Sequence, residues 1–176
     1  MKKILLILLL LVIGFAIYWF KFKDKGQDSG PKQEALKVSK HSEGFNKSID
    51  TMLTAYFDMH DAFVDADTAK AKAACKNLIA LADSVKLDEL KTDTASVYEA
   101  GAMQMKDIVT NAQSLLQQKD ITEMRQDFRM VGENIYPLLK TIHYEGKTLY
   151  WQNCPMAFGE DKGANSISNT KKGVNP

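Results

Sequence analysis

With 176 residues, 45% of them hydrophobic and 26% charged, the chain has enough apolar material for one domain with a real core. Its 23 basic residues stand against 22 acidic ones, a net charge of +1, and no basic patch is interleaved with aromatics, which argues against nucleic acid as a partner. Two cysteines far apart in the chain, Cys75 and Cys154, are too few for a disulfide-dense scaffold.

The first element is an uninterrupted apolar run from Ile4 to Phe20, preceded by Lys2 and Lys3. This is the layout of a signal sequence or an N-terminal membrane anchor. Roughly seventeen residues at ~1.5 Å each give a helix of about 26 Å, just under a hydrocarbon core. Tyr18 and Trp19 sit at its end as interfacial residues do, and no small-x-small cleavage site follows. Residues 1–20 therefore read as a transmembrane helix, single-pass in the inner membrane with the body in the periplasm; the alternative is export after signal-peptide cleavage. Residues 21–42 are rich in Lys, Asp, Gln, Ser and Gly with little to bury, a flexible tether in which His41 is expected to be solvated.

The body, residues 43–176, reads as helices followed by a loop segment. Ile49, Leu53, Tyr56, His60 and Phe63 recur at spacings of four and three, the period of an amphipathic helix capped by Ser42, Asn46 or Ser48. After Asp67 or Thr68 a second stripe runs through Ala71, Cys75, Leu78, Ala82 and Val85. Cys75 lies on it and reads as a small core residue without reactive role. A polar link at 87–94 leads to a third stripe, Val97, Gly101, Met105, Ile108, Ala112 and Leu115, in which Gly101 weakens the helix by roughly 1 kcal/mol relative to alanine. The fourth begins after Asp120 and carries Ile121, Met124, Phe128, Val131, Ile135, Leu138 and Ile142, with a kink or early break expected at Pro137. Four such segments with short links and no alternating strand pattern predict an all-α fold, an antiparallel four-helix bundle. Behind it the Gly-, Asn- and Ser-rich residues 146–176 form an irregular C-terminal loop, with a short extended piece at 148–151.

The chemistry is concentrated in that loop, at Tyr150-Trp151-Gln152-Asn153-Cys154-Pro155-Met156-Ala157. In an extended conformation Cys154 and Met156 would point to one side, offering a thiolate and a thioether, soft donors suited to Cu(I) and other thiophilic ions. His143, at the end of the fourth helix, is the candidate third donor. Most of the eight methionines lie inside helices and read as core or edge residues, as does His60. There is no Ser/His/Asp set, phosphate loop or Cys-x-x-Cys motif, so the chain is expected not to be an enzyme.

This segment, with Gly163-Ala164-Asn165 and Ile167-Ser168 after it and Tyr56 and Asp61-Ala62-Phe63-Val64 before it, resembles a little-characterised family of bacterial envelope domains. Its hallmark is Cys-Pro-Met-Ala, then Gly-Ala-x-Trp-Leu-Ser and Asn-Pro-Tyr. Members occur as small exported proteins and as appendages of the periplasmic adaptor subunits of heavy-metal efflux pumps. The resemblance implies a role in binding copper or a related soft metal, carried here by Cys154 and Met156. Ser166 stands where the family usually has tryptophan, and the family pattern continues past Val174-Asn175-Pro176 to a further methionine and cysteine. If those residues complete the family's site, this chain is expected to hold metal weakly or with a partner's help. The alternative is a metal-free interaction module in which the Cys-Pro-Met loop is a packing element.

Overall fold

The structure, a computed structural model, describes residues 41–159, 162–173 and 176. The anchor expected at 1–20 and nearly all of the tether lie outside the described residues. Among those described, no helix is long and apolar enough to cross a membrane.

Four α-helices form where the apolar stripes predict them: α1 (Glu43–Val64), α2 (Thr68–Ser84), α3 (Ala95–Gln117) and α4 (Ile121–Thr141). Each starts on a side-chain cap. Ser42 Oγ accepts from the Phe45 amide, Asp67 from Lys70, Thr94 from Val97, and Asp120 from both Thr122 and Glu123. Such caps satisfy amides that the first turn leaves orphaned, at about 1 kcal/mol each.

Neighbouring helices run antiparallel, as contacts at their ends show. Near the start of α2, Lys72 Nζ donates to the carbonyls of Leu116 and Gln118 at the end of α3. Near the start of α4, Arg125 Nη2 donates to the Phe63 carbonyl at the end of α1, 2.9 Å away. At the opposite end of α1, His41 Nε2 lies 2.8 Å from the carbonyl of Ile142, just past α4. The result is a helical bundle whose core holds Ile49, Met52, Tyr56, Leu78, Ile108, Leu115, Phe128 and Ile135.

Four expectations change. His41 is not solvated: its side chain is 2% exposed, tilted against Phe45. Beside it, Ser42 donates both its amide and its hydroxyl to Glu89, at 2.6 Å each, which holds the Glu89 carboxyl below the usual carboxylate range. The polar link after α2 is a 3-10 helix, Leu87–Thr92, whose Leu90 is fully buried. Helix α4 continues through Pro137 to Thr141. The one backbone bond that proline removes is outweighed by Leu138, Leu139 and Ile142, which anchor the last turn in the core. Finally, the tail is not wholly irregular. Strands β1 (Tyr150–Cys154) and β2 (Ala164–Ser168) form a two-stranded antiparallel sheet with Tyr150 opposite Ser168 and Cys154 opposite Ala164.

Candidate functional site

The sheet is what positions Cys154, and side chains of the bundle hold it in place. Trp151 of β1 stacks on Tyr136 of α4, with ring centroids 4.4 Å apart. On β2, Ile167 is buried, and its backbone amide donates to the hydroxyl of Tyr56 at 3.2 Å. That amide, on a residue that is 1% exposed, would otherwise be an unpaired buried donor on the open edge of a two-stranded sheet. Tyr56 is itself fully buried, stacked on Phe128 at 5.0 Å. Its hydroxyl passes over Gly132, where a Cβ atom would come within 2.8 Å of it. Burial pushes the Tyr56 phenol well above the usual tyrosine range, so it stays neutral and hydrogen-bonding.

Strand β1 runs back along α4 from Tyr136 toward its start. Its last residue, Cys154, is half-buried and faces a small pocket with Arg125, Phe128 and Arg129 of α4 on one wall and Asn165 and Ser166 of β2 on another. Pro155 and Met156 then form a turn. The strand rule that would place Cys154 and Met156 on one side therefore does not carry through; Met156 stands in solvent, 67% exposed. The loop after the turn closes through hydrogen bonds from the Phe158 amide to the Lys162 carbonyl, at 3.0 Å, and from the Lys162 amide to the Gly159 carbonyl, at 3.2 Å. Gly159 has φ of 103°, a region that favours glycine. Gly163 leaves room for the Cys154 carbonyl, which a Cβ would meet at 3.2 Å.

His143 is placed elsewhere. It follows α4 in a left-handed conformation, φ 48°, and is exposed. Arg129, beside Cys154, and His143 are separated by roughly fourteen residues of this helix and its cap, about 20 Å at ~1.5 Å per residue. Cys154 and Met156 are thus two residues apart in the chain, one facing the pocket and the other in solvent, and His143 lies at the far end of α4. Among the described residues no group of three His, Cys, Asp or Glu side chains could hold a metal ion.

The residues that sequence reasoning passed over are Arg125 and Arg129. Their spacing of four puts them on one face of α4, a signal that lies outside the apolar stripe.

The two cysteines differ sharply. Cys75 is fully buried, its thiol donates to the Ala112 carbonyl at 3.1 Å, and burial together with the Asp127 charge pushes it up to about 12. Cys154 is half-buried at the protein's edge. A water-soluble disulfide reagent at neutral pH is accordingly expected to modify one thiol in the native protein and two in denaturant, with peptide mapping locating the native adduct at Cys154. Rapid native modification of Cys75 would contradict this assignment.

Residues 52–147 match the family described as a protein of unknown function (DUF3347). They make up more than half of the chain, which belongs to that family. The match ends before β1, so the Cys-Pro-Met turn lies outside it. No curated protein and no solved structure matches the chain.

Proposed function

We propose that this DUF3347 protein binds a thiophilic ion, Cu(I) or one of similar softness, through the Cys154 thiolate and the Met156 thioether, and that it acts in metal homeostasis or efflux. The observation that carries the reading is the placement of Met156: a thioether held 67% exposed, two residues after a half-buried thiol, on a turn fixed by Pro155. Two neighbouring soft donors of this kind suit a soft monovalent ion. Two donors also leave an open site. The remaining ligand then comes from a partner, which suits an ion that is handed on, and heavy-metal efflux components are the partners of choice. In this reading Ile4–Phe20 anchors the chain in the inner membrane, the body lies in the periplasm, and no reaction is catalysed.

Titration of the full chain in a non-ionic detergent, under reducing conditions, is expected to show uptake of one Cu(I) per chain. Cys154→Ser abolishes the uptake and His143→Ala leaves it unchanged. A wild-type chain that takes up no Cu(I), or a Cys154→Ser chain that binds as the wild type does, overturns the proposal.

A second reading is favoured by one observation: the wall opposite Cys154 carries two guanidinium groups, which repel a bare cation. There the loop is a packing element of a metal-free envelope interaction module. Cys154→Ser would then lower the melting temperature, and Cu(I) would leave both proteins unchanged.

A further inference from the structure

The outer face of α1 and its C-terminal cap carry Asp50, Asp58, Asp61 and Asp65 at helical spacings, which sets their carboxylates along one side over about 22 Å at ~1.5 Å per residue. Two cavities, ≈ 430 Å³ and ≈ 250 Å³, run beside them and share Phe57, Asp61 and Asn169. They make one groove between α1 and the residues that flank the sheet. Its floor is apolar, with Phe57 and Leu149 half-buried and Val64 38% exposed. Its rim is acidic: against these aspartates the lining offers a single lysine, Lys147, although the whole chain carries a net charge of +1. Asp50 accepts from the Tyr144 hydroxyl, and Asp61 lies 3.0 Å from His60 Nδ1. Asp58 and Asp65 have no ion pair and no side-chain hydrogen bond among the described residues, and no described lysine or arginine pairs with any of the four. Like charges three and four residues apart on one helix repel each other, so this face is relieved by a cation from outside.

We propose that this groove docks a basic amphipathic segment of a partner protein, with its apolar side chains on Phe57 and Val64 and its lysines or arginines on Asp58, Asp61 and Asp65. Charge complementarity selects this occupant, since an anionic segment or lipid surface is repelled by the rim. The apolar floor distinguishes a segment that presents both kinds of side chain from a simple counterion. The groove seats roughly four turns of helix or about six extended residues. Its carboxylates stand in solvent, where each pair contributes little affinity, so they orient the segment while the floor holds it. Neither Cys154 nor Met156 lines the groove, and docking there stands independently of the metal reading.

The test titrates the metal-free full chain, in a non-ionic detergent and at matched ionic strength, with a short lysine–valine peptide, its glutamate–valine counterpart, spermine or calcium chloride, following backbone amides by NMR. The lysine–valine peptide is expected to shift the Phe57, Asp61 and Asn169 signals saturably, and the glutamate–valine peptide is not. Asp58→Asn combined with Asp65→Asn removes no contact within the fold and weakens the binding by at least about tenfold. Asp107→Asn, on the exposed side of α3, leaves it unchanged. Val64→Ser weakens it as well, which separates docking on the floor from attraction by charge alone. Absence of a saturable shift with the lysine–valine peptide, or an equal loss in Asp107→Asn, overturns the proposal. Saturation by spermine or calcium chloride as tight as by the peptide also overturns it and makes the groove a counterion site. A dimer in the peptide-free sample that the Asp58 and Asp65 variant dissociates overturns it too, because the occupant is then a second copy of the chain.

Discussion

Replacing Tyr56 with alanine is expected to destabilise the protein by at least about 3–5 kcal/mol, and replacing it with phenylalanine by about 1–3 kcal/mol. The two numbers separate two roles of one side chain. The ring is fully buried, packed on Phe128 and Phe57, and its removal leaves a cavity in the centre of the bundle. The hydroxyl is the acceptor for the Ile167 amide, and without it a buried donor of β2 is left unpaired. The phenylalanine variant keeps the core and loosens the sheet that carries Cys154. Urea unfolding measures both losses, and hydrogen exchange at the Ile167 amide reports the local one, which should rise in Tyr56→Phe more than exchange in α2 or α3. A phenylalanine variant as stable as the wild type, with the Ile167 amide still protected, would mean that the hydroxyl does not hold the strand.

Leu90→Ala is expected to cost about 2–5 kcal/mol, the range for deleting a buried leucine side chain. Leu90 is the only fully buried residue of the 3-10 helix, and it packs over Gly101 of α3, where a Cβ would approach its Cδ1 to 2.9 Å. Leu138 and Ile142 of α4 close the same spot. The glycine that lowers the helix propensity of α3 is thus the notch that seats the connection between α2 and α3. A fall in urea midpoint with unchanged slope is the expected signature, whereas a loss under about 1 kcal/mol would show that the connection packs loosely.

The four helices were legible because each carries a stripe of period 3.6 and a Ser, Thr or Asp cap, both local signals. What escaped depends on residues far away in the chain. The Leu87–Thr92 segment looks polar, and only the notch at Gly101 reveals that Leu90 is core. Strand β2, Ala-Asn-Ser-Ile-Ser, has a single large apolar residue, and its stability comes from pairing with β1 and from Tyr56, more than a hundred residues earlier. His41 reads as part of a solvated tether, yet it is buried by contacts with Phe45 and the Ile142 carbonyl.

The site was half legible for the same reason. Cys154 and Met156 are neighbours in sequence and needed no fold to be found. His143, at the end of α4, was the candidate third donor, but β1 runs back along that helix toward its start, as the stacking of Trp151 on Tyr136 and the pocket that Cys154 shares with Arg125 and Arg129 indicate. The arginines that share a pocket with Cys154 lie outside the apolar stripe by which α4 was recognised.

The proposed role of the Cys-Pro-Met turn is tested most directly by X-ray absorption of the Cu(I)-loaded full chain, set beside its Cys154→Ser variant. A first shell of sulfur scatterers without imidazole is expected in the wild type, since His143 lies at the other end of α4, together with loss of bound metal in the variant. A shell of nitrogen scatterers that persists when Cys154 is replaced would contradict the assignment of the site to Cys154 and Met156.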